Sequence, residues 1–380
     1  MAISKEAPTT TPFEKLSQNL NFRNESQHAW WNKTGSMLAK VLVTANYSLE
    51  EQHQYLAFYA QVLLPRLGPY PQEFRSSITR SGLPLELSIN YQQYGKKPAV
   101  RIGFEPLNAL SGTGKDPFNK IPAMDLVATL LKLQLSDFDL QIWDIVTEDH
   151  IVNEVEEASI QGTKIDGGYI RSQTAFGFDL LGDGNISPKG YTFPALKCQL
   201  VGKPIAAVIA DSVKRLQPLV DCSQAFSLVQ SYLEETTYDD RSFFSWDFVT
   251  PSKSRLKIYT GSNTVTWAKL EEVWTLGGRL TSITTRKGLQ YLQQLSNLIK
   301  INEGERTIEV AFDDRKDTSK ATPLLWNYEM RGGDPYPLAK IYFPVHGEND
   351  MRVITGVAQF FRVIGLDELG KSYVETVKSY

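Results

Sequence analysis

The feature that most constrains this chain is a strand-like segment with its cations on one face. Within Pro251–Tyr259, the cations Arg255 and Lys257 and the ring of Tyr259 stand at every second position, with aliphatic residues between them. Successive side chains of a β-strand point to opposite faces. This segment therefore predicts a strand in a sheet that has one cationic, aromatic face and one apolar face.

The same alternation recurs in three other segments. Lys189 stands two positions before Tyr191, Lys340 stands two positions before Tyr342, and Arg101 lies in the strand-like AVRIGFEP. One polar strand face normally meets solvent, but four similar faces indicate a common surface. The sequence thus predicts a cationic surface lined by tyrosines.

Composition limits which ligand such a surface could bind. The chain has 380 residues, 42% of them hydrophobic, and a net charge of −3, which is typical of a globular protein and gives no electrostatic support for nucleic acid or anionic membrane as a partner. We therefore expect a small, local anionic ligand. The two cysteines, Cys198 and Cys222, are too few for a disulfide framework, and the N-terminus lacks an apolar signal segment, so we expect a cytoplasmic protein.

Turn-rich segments separate paired strand patterns, and helical patterns lie between the pairs. The predicted hairpins are Pro84–Tyr91 with Ala99–Pro106, Gly168–Leu180 with Ile186–Leu200, Ser242–Val249 with Arg255–Thr260, and Arg306–Asp313 with Ala339–Val345. Antiparallel strands flanked by helices predict an α+β fold, in which closure into a barrel would bring the polar faces together and remove the sheet edges. We expect a flexible arm over residues 1–24 and a single domain over residues 25–380.

Several motifs together give the chain a family resemblance. The WW pair at Trp30, then GPYP, GLPLELSIN, RIGFEP, KGYTFPALK, PSKSRLKIY and KIYFPVHGEND occur in this order. The chain resembles the fungal aromatic prenyltransferases of the dimethylallyltryptophan synthase type from Trp30 to its C-terminus. The resemblance implies an antiparallel β-barrel with a polar lumen ringed by α-helices, built from αββα units (the ABBA or PT barrel). It also implies transfer of a dimethylallyl or longer prenyl group from its diphosphate onto an aromatic acceptor, usually an indole.

The resemblance assigns roles to individual residues without a cofactor or a metal. It places Glu86 against the N–H of the indole, and it implies a diphosphate clamp of Arg101, Lys189, Arg255, Lys257 and Lys340 and a cation shield of Tyr191, Tyr259 and Tyr342. Fixed cations stabilise the negative charge that develops on a departing diphosphate, a role that a metal fills in other enzymes. Tyrosine faces stabilise the allylic carbocation and exclude water from it.

The chain also departs from the family pattern. Family members have ten barrel strands and the four predicted hairpins give eight. We expect the last hairpin to be missing, in a fragment or in an inactive protein, unless the four hairpins leave one strand pair out. Thr174 aligns with a lysine that collects the ring proton in members that prenylate tryptophan at C4. Leu324 or Leu325 stands near the residue that sets donor length in the family. The resemblance leaves a monomer and a homodimer equally open.

Two other functions remain possible on sequence grounds. Asp313, Asp314 and Asp317 form a DDxxD motif, which in a magnesium-dependent isoprenoid enzyme would hold the metal that bridges the diphosphate. This motif follows a strand-like segment and contains Arg315 and Lys316, which favours a solvated turn. The second alternative is a barrel that binds an anionic small molecule without catalysis, for which Glu86 would have no evident role.

Overall fold

Most strands of the protein belong to one antiparallel sheet. A computed structural model describes residues 10–79, 81–92, 96–160, 172–236, 238, 243–306 and 322–380. The strands are β1 (Leu85–Asn90), β2 (Ala99–Phe104), β3 (Thr174–Leu180), β4 (Ile186–Thr192), β5 (Phe243–Asp247), β6 (Arg255–Ser262), β7 (Thr264–Val265), β8 (Gly304–Glu305), β9 (Leu324–Arg331) and β10 (Leu338–Tyr342). The order in the large sheet is β1-β2-β3-β4-β5-β6-β9-β10, and β7 pairs with β8.

Helices occupy the segments between the hairpins. They are α1 (Pro12–Asn19), α2 (Glu25–Trp30), α3 (Ser36–Thr44), α4 (Leu49–Phe58), α5 (Ile121–Lys132), α6 (Gln141–His150), α7 (Glu154–Ile160), α8 (Ala195–Val201), α9 (Ile205–Leu216), α10 (Ser223–Thr236), α11 (Trp267–Trp274), α12 (Ile283–Ile299), α13 (Asp350–Val363) and α14 (Asp367–Lys378). Local sequence explains where they begin. Ser48 Oγ accepts a hydrogen bond from Glu51 N at 3.2 Å, and Glu51 Oε2 accepts one from Ser48 N at 2.7 Å, which forms a capping box at the start of α4.

Backbone contacts divide the chain into two units, Met1–Ser136 with Ala175–Pro188, and Asp137–Thr174 with Lys189–Tyr380. In the first unit, Phe58 of α4 contacts Phe178 of β3 edge to face, with ring centroids 5.6 Å apart. Phe104 of β2 lies against the same ring at 6.4 Å. The apolar face of these strands therefore packs against helix α4, and the core of this unit lies between them.

The second unit has the same layering. Phe244, Trp246 and Phe248 stand at every second position along β5 and just beyond it, and all three are fully buried. Trp143 of α6 packs against Trp246 and Phe248 at centroid distances of 6.2 and 5.8 Å. Tyr232 of α10 contacts Tyr328 of β9 edge to face, with ring centroids 6.0 Å apart. Helices α6 and α10 therefore cover the apolar face of the sheet in this unit and do not cover its polar face.

Strand β4 is attached to the helices by a buried polar chain. Nδ1 of His150, the last residue of α6, lies 2.7 Å from Thr192 Oγ1, and its Nε2 lies 2.9 Å from Ser212 Oγ of α9. Ser212 also donates to Asp149 Oδ2 at 2.7 Å. Gly190 of β4 lies directly against the ring of Trp246, where any side chain would collide with it.

Two predicted hairpins are confirmed, and a third has different bounds. Strands β1–β2 and β5–β6 match the predictions, and β3–β4 is the second predicted hairpin. Its second strand ends at Thr192 and not at Leu200, and Ala195–Val201 forms helix α8. Pro194 explains the difference, because proline cannot donate a hydrogen bond to a sheet but is well tolerated where a helix begins.

The fourth hairpin differs more. Strand β10 pairs with β9, Leu324–Arg331, which the sequence analysis did not predict as a strand. The predicted partner, Arg306–Asp313, lies outside the described residues from position 307 onward. In β9 the apolar residues do alternate with polar ones, but the earlier segment Arg306–Asp313 contains three β-branched residues and has the stronger strand signal.

The predicted fold class, α+β with antiparallel hairpins, one polar sheet face and helices on the other, is confirmed. Pro12–Asn19, inside the predicted arm, forms helix α1, and Phe13 stacks on Trp31 with ring centroids 5.0 Å apart. Across the described ranges, the helices are too short or too polar to cross a lipid bilayer.

Candidate active site

Most of the predicted site residues share one face of the strands in the second unit. Ser245 of β5 is the cross-strand partner of Tyr191 on one side and of Lys257 on the other. Residues that are directly opposite in an antiparallel sheet point to the same face. The alternation read from the sequence therefore continues across five neighbouring strands, β4, β5, β6, β9 and β10.

Cross-strand pairing arranges this face in rows. Row one contains Lys189, Asp247, Arg255 and Arg331; row two Tyr191, Ser245, Lys257, Glu329 and Leu338; row three Phe243, Tyr259, Asn327 and Lys340; row four Gly261, Leu325 and Tyr342. Rows one and two carry most of the charges, and rows three and four carry most of the rings. The face thus changes from charged to aromatic along the strands.

Asp247 is at the centre of the charged end. Its Oδ2 lies 2.6 Å from Arg255 Nε, its Oδ1 lies 2.8 Å from Arg255 Nη2, and Lys257 Nζ lies 3.6 Å from Oδ1. Lys189, on the neighbouring strand, is directly opposite Asp247. Lys189, Lys257 and Asp247 are all buried, with exposed fractions of 6%, 7% and 4%. Cations and acid therefore form one desolvated cluster.

The cluster shifts the pKa values of its members. Burial raises the pKa of Asp247, but the positive charges of Lys257, Arg255 and Lys189 outweigh burial and hold it at about 2. Burial lowers the pKa of Lys257 to about 8, and Arg255 and Lys189 add to this effect, whereas Asp247 and Glu329 oppose it. Near neutral pH the acid is thus ionised and Lys257 is charged, with its deprotonation close to the physiological range.

Glu329 adds a second acid at the edge of the cluster. Its Oε2 lies 3.4 Å from Arg255 Nη1, and its Oε1 lies 2.7 Å from Arg331 Nη2. Arg331 is half exposed, whereas Arg255 is mostly buried. The guanidinium of Arg255 is therefore held from two sides, by Asp247 and by Glu329, which fixes its plane and the direction of its donors.

The three predicted tyrosines lie together at the aromatic end. The ring of Tyr259 has its centroid 6.0 Å from that of Tyr191 and 6.2 Å from that of Tyr342. Phe243 stacks on Tyr259 at 4.4 Å with an interplanar angle of 12°. Burial raises the pKa of Tyr259, so its hydroxyl stays protonated. These rings form a continuous surface with a buried member at its centre.

Asn327 and Lys340 fix the position of Tyr342. Asn327 Nδ2 donates to Tyr342 Oη at 3.0 Å, and Lys340 Nζ lies 4.9 Å from the centroid of the same ring. Lys340 is exposed, in contrast to Lys189 and Lys257. The structure thus places Lys340 beside the rings, one row away from Lys257 and two rows away from Lys189.

Two predicted residues, Arg101 and Glu86, belong to the first unit. Glu86 is directly opposite Gly103, and Arg101 is directly opposite Ser88 on one side and Asp179 on the other. Arg101 Nε lies 3.0 Å from Asp179 Oδ1. By alternation along β1 and β2, Glu86 and Arg101 lie on the same strand face, and glycine at position 103 leaves the side of the glutamate open.

The carboxylate of Glu86 is exposed, yet it has an unusual environment. Water can reach it, but protein atoms around it remove part of its hydration and raise its pKa above the usual range. Its cross-strand partner, Gly103, brings no side chain to it, and a Cβ at that position would lie 3.4 Å from Glu86 Cβ. A partly desolvated carboxylate with open space beside it can accept a hydrogen bond from a ligand.

Two alignments are decided by the strand faces. Thr174 begins β3 on the face of Phe176 and Phe178, which is the buried core face and is opposite to that of Arg101. Leu325 pairs with Tyr342, so it shares the face of the tyrosines, whereas Leu324 points to the other side. Thr174 therefore does not stand where a ring-deprotonating base could act, and Leu325 is the leucine on the site face.

Four residues of the site face were not predicted from the sequence: Asp247, Glu329, Asn327 and Phe243. In Phe243–Asp247, the residues Phe243, Ser245 and Asp247 alternate with buried aromatics, which is a signal that their face is the polar one. The predicted hairpin pairs β5 with β6, but nothing in the sequence indicates that β4 lies on the other side of β5, or that β9 is a strand. Pairing that is distant in the chain brings these four residues to the site.

The DDxxD residues Asp313, Asp314 and Asp317 lie outside the described residues. Within the ranges that are described, no three His, Cys, Asp or Glu side chains come together in a way that could hold a metal ion. Cys198 and Cys222 are buried free thiols, and burial raises the pKa of both. Neither thiol has the depressed pKa of a nucleophile.

Comparison with known proteins gives consistent matches. The sequence profile described as tryptophan dimethylallyltransferase matches residues 26–376. The prenyltransferase okaC of Penicillium ochrochloron is 62% identical over 380 residues, which cover all of this chain and 88% of that protein.

Solved structures agree with the sequence comparison. A crystal structure of NotF in complex with brevianamide F and DMSPP superposes with a TM-score of 0.86 at 39% identity, covering 97% of this chain and 89% of that one. A crystal structure of AnaPT from Neosartorya fischeri gives a TM-score of 0.84 at 28% identity, with the same two coverages.

Proposed function

The chain belongs to the tryptophan dimethylallyltransferase family and is a prenyltransferase, and from this we propose that it prenylates an indole by electrophilic aromatic substitution without a metal ion. The donor is dimethylallyl diphosphate or a longer prenyl diphosphate. The acceptor is an indole or a related aromatic compound of secondary metabolism. The observation that carries the proposal is the change from charged to aromatic rows on one sheet face in the second unit.

The charged rows suit the diphosphate. Ionisation of an allylic diphosphate leaves negative charge on the departing oxygens, and fixed cations in a desolvated site stabilise this charge strongly. We assign this role to Lys189, Arg255 and Lys257, whose positions the cluster around Asp247 fixes. From the family resemblance we add Arg101 and Lys340 to the clamp. The cations supply what a bound metal supplies in other prenyl-transferring enzymes.

The aromatic rows suit the prenyl cation. Aromatic faces attract a nearby cation by ~0.5–2 kcal/mol each, and a continuous aromatic surface keeps water away from it. Tyr191, Tyr259 and Tyr342 form this surface, with Phe243 behind Tyr259. Because Tyr259 stays protonated, its ring offers a neutral face and its hydroxyl cannot act as a charged nucleophile.

We propose that Glu86 accepts the indole N–H. A carboxylate at this hydrogen increases the electron density of the ring as the ring attacks the prenyl cation. The raised pKa of Glu86 makes its carboxylate a better hydrogen-bond acceptor than an ordinary surface carboxylate. For the same reason the carboxylate is protonated more readily at acidic pH. Because NotF was crystallised in complex with brevianamide F, this compound is the first acceptor to assay.

We also propose a cytoplasmic location. Both cysteines are free thiols in the structure, which fits a reducing compartment.

The decisive experiment is a product assay with the purified protein. Dimethylallyl diphosphate is incubated with brevianamide F, tryptophan and a panel of simple indoles and phenols, and products are detected by mass spectrometry. We expect an indole that has gained one dimethylallyl group, and no such product from Glu86→Ala at matched protein concentration. Lys253→Ala is the control. Lys253 is an exposed cation just before β6, and its Nζ lies 2.7 Å from Asp137 Oδ2. Diphosphate binding without prenylation of any acceptor would instead support an anion-binding barrel.

A further inference from the structure

A carboxylate lies in the middle of the proposed diphosphate clamp, where it should repel the ligand. Asp247 is the only acid in row one, and it stands between Lys189 on one strand and Arg255 on the next. Negative charge beside an anion site weakens anion binding, so a purely attractive site would not contain it. Its presence needs another physical reason.

The geometry of Asp247 is that of a fixed, built-in ion. Both carboxylate oxygens bond the guanidinium of Arg255 side-on, and Oδ2 also accepts from the Arg255 backbone N–H at 3.3 Å. The backbone of Asp247 is fixed as well, because Ser254 Oγ accepts from Asp247 N at 3.1 Å and donates to Asp247 O at 3.0 Å. A turn thus holds the acid in place against two cations.

Without this acid the cations would oppose one another. Lys257 is almost fully buried, and the charged groups that face it are Lys189 from β4, Arg255 from its own strand, Asp247 from β5 and Glu329 from β9. Two of these groups are cations and disfavour the charged lysine, as does burial itself. Asp247, 3.6 Å away, is the stronger of the two opposing acids.

We propose, building on the function proposed above, that Asp247 is a positioning residue that acts as the resident counter-ion of the clamp. It keeps Lys257 charged and Arg255 aligned while no diphosphate is bound. The diphosphate then meets cations that are already charged and oriented, so that little reorganisation accompanies binding. The carboxylate also moderates the affinity for the diphosphate product, which has to leave after each turnover.

The proposal predicts a change in the pH dependence of diphosphate binding. In the wild-type protein Lys257 loses its proton near pH 8, so affinity for inorganic pyrophosphate should decline above that pH. In Asp247→Asn the nearest opposite charge is absent, and the alkaline decline should move down by ~1–3 pH units, the effect of one opposite charge at this range. On the acidic side of the decline the variant should bind pyrophosphate at least as tightly as the wild type.

Isothermal titration calorimetry with inorganic pyrophosphate, from about pH 5 to about pH 9, tests this. Glu156→Gln is the matched control, since Glu156 bonds the buried Lys197 at 2.5 and 2.6 Å outside the site, and its profile should equal that of the wild type. An unshifted decline in Asp247→Asn, or an equal loss of affinity at every pH, would overturn the proposal. Wild-type protein that binds no pyrophosphate would overturn the proposed diphosphate site itself, and this inference with it.

A rescue experiment covers the case in which Asp247→Asn does not fold. Breaking a buried ion pair leaves an uncompensated charge, which destabilises a protein strongly. If Asp247 acts as a counter-ion, the double variant Asp247→Asn with Lys257→Met removes the uncompensated lysine and should recover folding, measured by circular dichroism and thermal unfolding. A double variant that is no more stable than the single one would show that Asp247 supports the turn alone, and the proposal would fail.

Discussion

At the scale of single residues, the candidate site depends on where charge is fixed. Arg255 and Lys257 are two residues apart on one strand, and they differ in what holds them: Arg255 is bonded side-on by an acid, and Lys257 is held mainly by the field of its neighbours. Both are largely removed from water. Their contribution to catalysis can therefore be measured by removing them one at a time.

Replacement of either cation should reduce turnover. Arg255→Ala or Lys257→Ala removes a group directed at the developing diphosphate charge, and each should cost ~2–4 kcal/mol of transition-state stabilisation, the loss seen when such groups are deleted. Steady-state kinetics with the best acceptor measures this, with Lys253→Ala as the control for an exposed cation of the same segment. Near wild-type rates in both variants would show that the cationic face plays no part in the chemistry.

Glu86→Gln should separate acceptor chemistry from diphosphate binding. The amide keeps the size of the side chain but removes the charge, and charge-assisted hydrogen bonds are roughly twice as strong as neutral ones. We expect a loss of ~1–3 kcal/mol in kcat/KM, about ten- to a hundredfold in rate. Pyrophosphate affinity, measured by calorimetry, should stay within a fewfold of the wild-type value.

The pH profile gives a second measure of Glu86. Because its pKa is raised, the wild-type rate should decline on the acidic side at a pH above 4.5, the value of an unperturbed glutamate. The carboxylate has to be ionised to accept the N–H, so activity is present above this pKa and is lost as the pH falls through it. In Glu86→Gln that acidic decline should disappear, and its persistence would assign the decline to another group.

At the scale of elements, strand β4 connects the site to the helices. Lys189 and Tyr191 point to the site face, while Gly190 and Thr192 point to the helices. The ring of Trp246 and the imidazole of His150 hold that second face. A change on the helix side of β4 is therefore expected to reach the site through the strand.

Gly190→Ala should be destabilising and should also lower activity. A Cβ at this position would stand 2.6 Å from Trp246 Cε2, and the ring is fully buried, so the strand or the ring has to move. Overpacking of this kind costs ~1–3 kcal/mol, measured as a loss in the free energy of unfolding by urea denaturation. Gly114→Ala is the matched control, because nothing lies within 4 Å of the corresponding Cβ. Equal stability of the two variants would contradict the packing argument.

His150 should make the protein sensitive to acid. Burial, with a smaller effect of Lys197, lowers the pKa of His150 to about 3, whereas the unfolded chain has the ordinary value of 6.5. As the pH falls below 6.5 the unfolded state binds the proton first, so this stabilising contribution is complete above 6.5 and is lost toward pH 3.

The slope from this one group is up to ~1.4 kcal/mol per pH unit in that window. Urea unfolding at several pH values should show a shallower acid dependence in His150→Gln than in the wild type. Parallel curves for the two proteins would show that His150 binds its proton equally in the folded and unfolded states, which would contradict this prediction.

The sequence predicts elements well where the information is local. Alternation within β6 predicts the shared face of Arg255, Lys257 and Tyr259, and the pairing of β6 with β5 and β9 confirms it. The structure adds what only distant pairing supplies, such as the position of Asp247 between two cationic strands. Strand β9 was missed because a segment before it has a stronger local strand signal, and local propensity cannot decide which of two candidates pairs with β10.

At the scale of the whole molecule, the local charge of the site face differs in sign from the net charge of the chain. The chain has a net charge of −3, yet the buried lysines Lys189 and Lys257 share one sheet face with Arg255. Such a molecule attracts a small anion locally without attracting large polyanions. The arrangement of charge, more than its total, therefore indicates a small anionic ligand.

Turnover should not require a metal ion. Because protein cations take the place of magnesium at the diphosphate, the rate of prenylation should be unchanged in an excess of EDTA. A magnesium-dependent prenyl diphosphate synthase in the same buffer is the control and should lose its activity. Loss of activity in EDTA that magnesium restores would contradict this prediction and would direct attention to Asp313, Asp314 and Asp317.

The spacing of the rows on the site face also sets distances against which the length of a prenyl donor can be compared. Adjacent rows are separated by two residues of strand, about 7 Å, because an antiparallel strand rises ~3.4 Å per residue. A donor anchored by its diphosphate at row one extends its hydrocarbon tail along the strands, and each added isoprene unit brings the tail nearer to row four. Gly261, Leu325 and Tyr342 form that last row. We therefore expect donor size to be limited at a position remote from the anchored end, so that a smaller side chain at Leu325 should admit a longer donor without altering diphosphate binding.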